Sequence, residues 1–554
     1  MEVKEWAGWR WHVGAICLYA ALSVALIDGG ASITRNILGL SSDPLLFIWF
    51  LAWWPFALAH HLPPLYSTFV WQPVGIDLVW TTCIPFLALL AAPVTLLGGP
   101  VLAYNLLNLL APVLAAAGGY ALCLYITRNA LAAMFGGLAY GFSTYEMSES
   151  VAHMNLDFNA AVPCLLLVVL VRLDGRLGRP AAAILAALAI SVQFYISEEI
   201  AATMLIFGGV AWALALLLLA ERRVALWRLV ADGLLAGLFT LLLTMPILWN
   251  VLTVRRGVEI PIGWAYVSAG HLFNLLVTNP RVVLSSPSMA FSGTSLIGRF
   301  PQWDFTTGIP LAVILGWYAW TGWPRGDVKL CCFMLAIIML ASLGPQLWTG
   351  ARFTGIVMPW YYVLRVPFIN TALPVRFMLY SSLILAIIMA KFVAVGGGAR
   401  IAWRGAFAAF AVAITLTQPH PSMRAPYLHF FRPGRVEAVL GARPRLLILP
   451  GTVADISGFL QAENGFGFVQ TTGYLGMPPL AIRHFQAVSD IMFDQDPVSL
   501  SKDLAAFCFA THTGFVVAGP GVRPEMVRAM EALAWPQQRV NDVTVFTVPG
   551  AVHG

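Results

Sequence analysis

Along the chain, apolar stretches of similar length alternate with short polar breaks. Windows near residues 13–31, 101–126, 130–144, 158–172, 181–196, 199–219, 226–250, 308–322, 329–346, 376–395 and 402–419 approach the roughly 20 apolar residues that a helix needs to cross a bilayer. They predict about eleven spans, a few of them short. The basic breaks "ITRNA", "VRLDGRLGRP", "AERRVALWR", "WPRGDVK" and "GGGARIAWRG" share one parity. By the positive-inside rule they lie in the cytoplasm together with the N-terminus, and an odd span count places the C-terminus outside.

Two further apolar stretches, Pro44–Ala59 and Leu78–Leu97, fall within the first external loop. Pro55 interrupts the first, which carries Trp49, Trp53 and Trp54; Pro85 and Pro93 interrupt the second. Tryptophan settles at membrane interfaces, so both read as helices lying in the outer interface or re-entering it. If both spanned instead, the count would become thirteen and every later loop would keep its side. Beyond Pro419 the pattern changes: "RPGRVEAVLGARPRLLILPG", "HTGFVVAGPGVRPEMVRAMEALAW" and "NDVTVFTVPG" read as strand, strand–helix and strand. The expected division is a transmembrane module over 1–418, with interfacial helices within 32–98, and an extracytoplasmic α/β domain over 419–554.

Composition agrees with a polytopic α-helical membrane protein. Of 554 residues, 59% are hydrophobic and 10% charged, and the mean hydropathy is +0.79. That leaves too little polar surface to coat a soluble globule. The net charge of +6 is mostly loop arginine, which topology explains, so no nucleic-acid partner is inferred. Six of the seven cysteines lie in apolar segments and Cys508 stands alone in the tail, which favours neither a disulfide framework nor a CxxC metal site. The N-terminal segment has a basic start without a small-residue cleavage pattern, and is read as a retained first span. No GxxxxGK[ST], HExxH or GxSxG occurs, so the ATP-driven pump and the commonest hydrolase and zinc templates have no support.

What remains is a set of polar residues on the predicted outer face. Asp43 heads the tryptophan-rich stretch "SSDPLLFIWFLAWW" and, before Pro44, reads as an N-cap. A cap at headgroup depth is also a candidate general base toward an acceptor hydroxyl. Asp77 in "QPVGID" is a weaker candidate of the same kind. In "STYEMSESVAHMNLD", a continuous helix would align Glu149, His153 and Asp157 at every fourth position, with Glu146 on the same stripe. Such a stripe either binds a divalent cation, serves as acid and base, or is a solvated loop face. Glu198 and Glu199 sit at an outer turn near Gln193 and Tyr195, and Asp304 closes a long external loop. Arg255, Arg256, Arg281, Arg299, Arg352, Arg365 and Arg376 all fall outside despite the positive-inside rule. Arg376, at the mouth of a span, either clamps a lipid-linked phosphate or snorkels to headgroups.

The order of these parts resembles the GT-C superfamily of membrane glycosyltransferases, including the bacterial YfhO-like branch. The resemblance rests on Asp43 in "SSDPLLFIW", on "QPVGIDL", on "TRNALAAMFGGLAYGFSTYEMSESVAHMNLD" and on "MPWYYVLRVPFINTALPVRF", and it covers the membrane part loosely. Members often carry a paired acid in the first loop and an extra arginine ahead of "PxRF"; here Pro44 and Ala372 stand at those places. The resemblance implies transfer of a sugar from a polyprenyl-phosphate donor to an envelope glycan, lipid or protein acceptor at the periplasmic face of a bacterial inner membrane. Asp43, Glu149 and His153 are then the candidate catalytic residues. Arg376, Arg365, Asp77, Asp157 and Glu198 are the candidate substrate and phosphate contacts, and Mg or Mn is the candidate cofactor, with its ligands unassigned. Two other classes stay open: a transporter or flippase of lipid-linked saccharide, which needs polar residues at mid-bilayer, and a non-catalytic envelope-assembly scaffold. Asn105, Asn108 and Gln193 are the main interior polar residues seen.

Overall fold

The computed structural model describes residues 8–254, 263–272, 308–349, 352–366, 369–395, 399–417, 419–451, 456–493 and 497–550. Asp304, Arg255, Arg256, Arg281 and Arg299 lie outside the described residues, as does the side chain of Arg352.

All eleven apolar windows are helical. Helix α1 (Trp9–Ser23) runs on as a π-turn, Val24–Asp28, and stops at Gly29, whose φ of +56° is a left-handed C-terminal stop that suits glycine. Then follow α2 (Asp43–Ala59), α3 (Pro85–Gly98), α4 (Pro100–Thr127), α5 (Ala130–Gly141), α6 (Thr144–Glu149), α7 (Met154–Asp157), α8 (Ala161–Leu173), α9 (Arg179–Ile196), α10 (Glu198–Leu218) and α11 (Arg223–Thr253). Among the described residues, seven helical segments are long and apolar enough to cross a membrane: Trp9–Asp28, Pro100–Thr127, Met154–Leu173, Arg179–Ile196, Glu198–Leu218, Ala220–Thr253 and Pro374–Ala394. The other four windows fold as the shorter helices α5, Ile309–Gly322, Gly326–Ser342 and Ala399–Ala413. Hydropathy registers apolar residues without registering where a helix stops. The Asn129 side chain caps α5 by accepting from the Ala132 amide at 3.0 Å, and the helix ends twelve residues after it starts.

The chain falls into two compact units, Met1–Gly30 with Asn108–Thr244 and Pro261–Pro421, and Ala31–Leu107 with Met245–Ile260 and Ser422–Gly554. In the first, the Met378–Ala394 helix is buried on nearly every face and packs on α5, Gly326–Ser342 and Ile309–Gly322. A helix apolar all round belongs at the centre of a bundle. Leu234, Leu238, Leu241 and Leu242 of α11 are exposed, an apolar surface of the kind that lipid covers. Two of the basic loops, "VRLDGRLGRP" and "AERRVALWR", are joined by an ion pair. Arg172 and Arg179 both pair with Asp232, at 2.7 and 3.2 Å, and Arg222 pairs with Asp174 at 3.1 Å.

The second unit holds a five-stranded sheet in the order Gln537–Val540, Val543–Thr547, Phe515–Ala518, Arg445–Leu449, Val469–Gln470. Arg445–Leu449 runs parallel to both its neighbours, and the remaining pairs are antiparallel. The three strands and the helix read from the tail sequence are present, the helix at Pro524–Glu531. Helix α2 packs here between α3 and the Ser457–Asn464 helix, with every residue from Pro44 to Pro55 buried. Its tryptophans, expected at a headgroup interface, are therefore inside the protein. Trp49 and Trp53 stack at 5.2 Å, with Phe466 edge-on to both. Their indole N–H groups donate to Gln461 (2.9 Å) and the Pro64 carbonyl (3.0 Å), and Trp54 donates to the Cys83 carbonyl (2.9 Å). Protein acceptors thus do for these rings what headgroups do at an interface. Helix α3 differs, because Leu89, Leu90, Leu96 and Leu97 leave it an outward apolar face.

Candidate functional site

The segment from Ser143 to Asn159 is not the single helix that its four-residue spacing predicts. The chain breaks between Ser150 and His153, leaving α6 and α7 as separate short helices. Ser143 starts α6 by accepting from the Glu146 amide at 3.2 Å, the first half of a capping box. The Glu146 carboxylate does not return to the cap; it accepts from Asn159 Nδ2 at 2.6 Å. The expected residues still converge: His153 Nδ1 lies 2.6 Å from the Glu149 carboxylate. Nor is this a solvated loop face, since Glu146, Glu149 and Asp157 are 1%, 3% and 0% exposed. Burial pushes the Glu146 carboxyl well up, and the nearby charges of Asp157 and Glu149 add to this against the Asn159 hydrogen bond.

Two interior amides hold the segment. Asn108 of α4 donates to the Ser150 carbonyl at 3.1 Å, and Gln193 of α9 donates to the Phe158 carbonyl at 3.2 Å. Both satisfy irregular backbone that has no helical partner of its own.

Ser197 caps α10 by accepting from the Ile200 amide at 3.3 Å, which fixes Glu198 and Glu199 in its first turn. Arg376 donates Nη1 to Oε2 of Glu199, and the Leu373 amide donates to Oε1 at 2.8 Å. The guanidinium expected at a span mouth is thus held by Glu199, with Glu149 a further anion in its field. Glu198, the candidate of the pair named from sequence, is its half-buried neighbour. Arg365 is exposed and lies over the rings of Tyr361 and Tyr362, at 5.4 and 5.7 Å from their centroids.

Asp43 and Asp77 belong to the second unit. Ser42 occupies the position preceding α2 and makes no side-chain cap, so Asp43 is a first-turn acid rather than the N-cap. Its Oδ1 accepts from the Tyr474 hydroxyl at 3.2 Å. Burial and the Asp43 charge push the Tyr474 phenol up, so it stays a donor. Asp77 caps the short turn Leu78–Trp80 by accepting from the Val79 amide at 3.1 Å. Burial pushes its carboxyl up, opposed by that hydrogen bond.

The donor sets of the described residues do not fit a divalent cation. Among the described residues no three His, Cys, Asp or Glu side chains are arranged to hold one. In the expected stripe, Glu149 is engaged by His153 and Glu146 by Asn159. Asn159, Glu199 and Tyr474 complete these constellations. The S-x-x-E cap of α6 and the serine before Glu198–Glu199 are visible in the sequence, but the long-range partners carry no local signal.

No protein-family model matches the chain, and no curated protein sequence matches it. Solved structures do. Arabinofuranosyltransferase AftD from Mycobacteria aligns with a TM-score of 0.60 at 13% identity, over 98% of this chain and 40% of that one. The Archaeoglobus fulgidus oligosaccharyltransferase, in complex with Zn and sulfate, gives 0.52 at 12%, over 91% and 68%. ArnT from Cupriavidus metallidurans, bound to undecaprenyl phosphate, gives 0.50 at 11%, over 99% and 100%. The chain thus spans 40% of the length of AftD and the full length of ArnT. These likenesses show a shared fold: a helical chain with seven segments, among the described residues, long and apolar enough to cross a membrane, and a C-terminal sheet.

Proposed function

We propose that the chain is a GT-C-type glycosyltransferase of a bacterial inner membrane, within the YfhO-like branch, with its N-terminus cytoplasmic and its C-terminal domain periplasmic. It moves a sugar from a polyprenyl-phosphate donor to an envelope acceptor. The observation that carries this reading is the place of Asp43: a half-buried carboxylate in the first turn of the first helix after the first span, in a chain with the GT-C fold along 99% of its length. Asp43 takes the proton of the acceptor hydroxyl as that oxygen bonds to the anomeric carbon. The bond from that carbon to the phosphate oxygen breaks, and the polyprenyl phosphate leaves with the electron pair.

Arg376 is read as a contact to the donor phosphate, with Glu199 fixing one edge of its guanidinium. Glu149 and His153 form an acid–base pair on the same unit, with Asp157 beside them, and Arg365, Asp77 and Glu198 are the outlying candidates for substrate contact. Transport is less well supported, because Asn105, Asn108 and Gln193 are committed to backbone. Asn105 alone binds the Ile33 and Asn36 carbonyls and the Leu38 amide. The test is sugar transfer from radiolabelled polyprenyl-phosphate sugar in proteoliposomes. Asp43→Asn is expected to abolish it. Full turnover in that variant refutes the catalytic assignment, and lipid translocation without transfer by the wild type establishes a flippase.

A further inference from the structure

The role of the C-terminal segment in the site has no motif to announce it, and the contact with Asp43 supplies one. Tyr474 lies 431 residues from Asp43 in sequence and donates its hydroxyl to Oδ1 at 3.2 Å. The backbone that presents it is anchored from several sides. Gln470 donates its amide to the Phe69 carbonyl at 2.8 Å and accepts from the Gln72 amide at 2.9 Å, and the Thr471 amide donates to the Leu446 carbonyl at 2.9 Å. Gly473 then turns the chain with φ of +137°, and a Cβ there would press on Val70 at 3.3 Å. The sequence "TTGYLG" is thus an edge-strand extension that ends in a glycine turn and delivers one phenol to the head of α2.

We propose that Tyr474 is a positioning residue, whose hydroxyl holds the Asp43 carboxylate in one orientation and favours its ionised form. This rests on Asp43 being the base, and it makes the C-terminal domain a structural contributor to that base. Tyr474 itself exchanges no proton. A hydrogen bond to an ionised carboxylate is stronger than one to a neutral group, so its effect falls on the charged state that accepts a proton. Of the helices packed on α2, α3 carries no ionisable side chain and the Ser457–Asn464 helix carries Glu463.

The test reads protonation of Asp43 without requiring turnover. Dicyclohexylcarbodiimide modifies protonated carboxyls, and labelling of the Asp43 peptide is followed by mass spectrometry across pH in the full-length protein. With Tyr474→Phe the labelling midpoint is expected to move to higher pH by roughly one unit, the size of a lost hydrogen bond to a carboxylate. Tyr474→Gln, which keeps a donor, is expected to restore most of that shift and also serves if the phenylalanine variant folds poorly. An unchanged midpoint in Tyr474→Phe overturns the proposal. Failure of the base assignment shows separately, as full transfer by Asp43→Asn.

Discussion

Trp49 donates its indole N–H to Oε1 of Gln461 at 2.9 Å, and both side chains are fully buried. The same glutamine donates Nε2 to the carbonyls of Phe69 and Phe468, each at 2.9 Å. One amide thereby makes three hydrogen bonds, two of which join α2 and the segment after it to the C-terminal segment inside one compact unit. Gln461→Ala removes the partner of the Trp49 indole and of the Phe468 carbonyl, while the Phe69 carbonyl keeps the Gln470 amide. An unsatisfied buried group costs about 1–3 kcal/mol, so a loss of roughly 2 kcal/mol or more is expected. Thermal unfolding in detergent, followed by tryptophan fluorescence, should show a clear drop in Tm. A midpoint within a degree of wild type would refute this account of the junction.

Glu146 predicts a pH dependence. Its folded carboxyl titrates well above its ordinary value of 4.5, so above that value the unfolded chain releases a proton that the folded chain still holds. Stability contributed by this group is therefore greatest at low pH. It is lost as pH rises from about 4.5 toward the raised value, at up to about 1.4 kcal/mol per unit. Glu146→Gln keeps an acceptor for Asn159 and removes the titration. The variant should show a flatter Tm profile than wild type as pH rises from about 4.5, gaining on wild type as the pH climbs. Parallel profiles for the two proteins would contradict the burial of an ionisable group here.

Much of the fold was legible, because span length and hydropathy are local properties. The eleven helical windows and the tail strands follow from runs of neighbouring residues. What was not legible depended on distant partners. Trp49, Trp53 and Trp54 match an interfacial pattern, and nothing near them in sequence tells that Gln461 and Phe466 cover them. Glu149, His153 and Asp157 share a helical period, yet they meet through a broken segment tied by Asn108 and Gln193. Arg376 was recognisable as an arginine at the start of an apolar helix; its pairing with Glu199, across 177 residues, was not.

Close packing of α5 supplies a prediction independent of function. A Cβ on Gly141 would lie 2.5 Å from the Pro112 carbonyl oxygen and 2.6 Å from Ala116 Cβ. One of these neighbours is backbone of α4, which cannot rotate away. Gly141→Ala should therefore force the two helices apart and cost about 1–3 kcal/mol, despite the better helix propensity of alanine. Gly209→Ala on α10, where an added Cβ meets nothing within 4 Å, is the matched control and should be neutral or mildly stabilising. Equal Tm values for the two variants would show that α4 and α5 are less closely packed than described.

Arg376 separates a structural role from a binding one. Its side chain and that of Glu199 are 21% and 20% exposed, so removing one partner leaves a largely desolvated charge. Arg376→Ala and Glu199→Gln should each cost stability, about 2 kcal/mol for the former after allowance for partial exposure. They should differ in chemistry. If the guanidinium meets the donor phosphate, Arg376→Ala lowers transfer per folded molecule on the order of 100-fold, and Arg376→Lys recovers part of it because an ammonium keeps the charge without the planar fork. Glu199→Gln keeps the arginine and disturbs mainly its orientation, so it should retain more activity than Arg376→Ala. The comparison is made as initial rates at saturating and limiting polyprenyl-phosphate sugar, normalised to folded protein. Identical rates for wild type and Arg376→Ala would leave the Arg376–Glu199 pair as a strut between α10 and the Pro374–Ala394 segment, with no part in holding the donor.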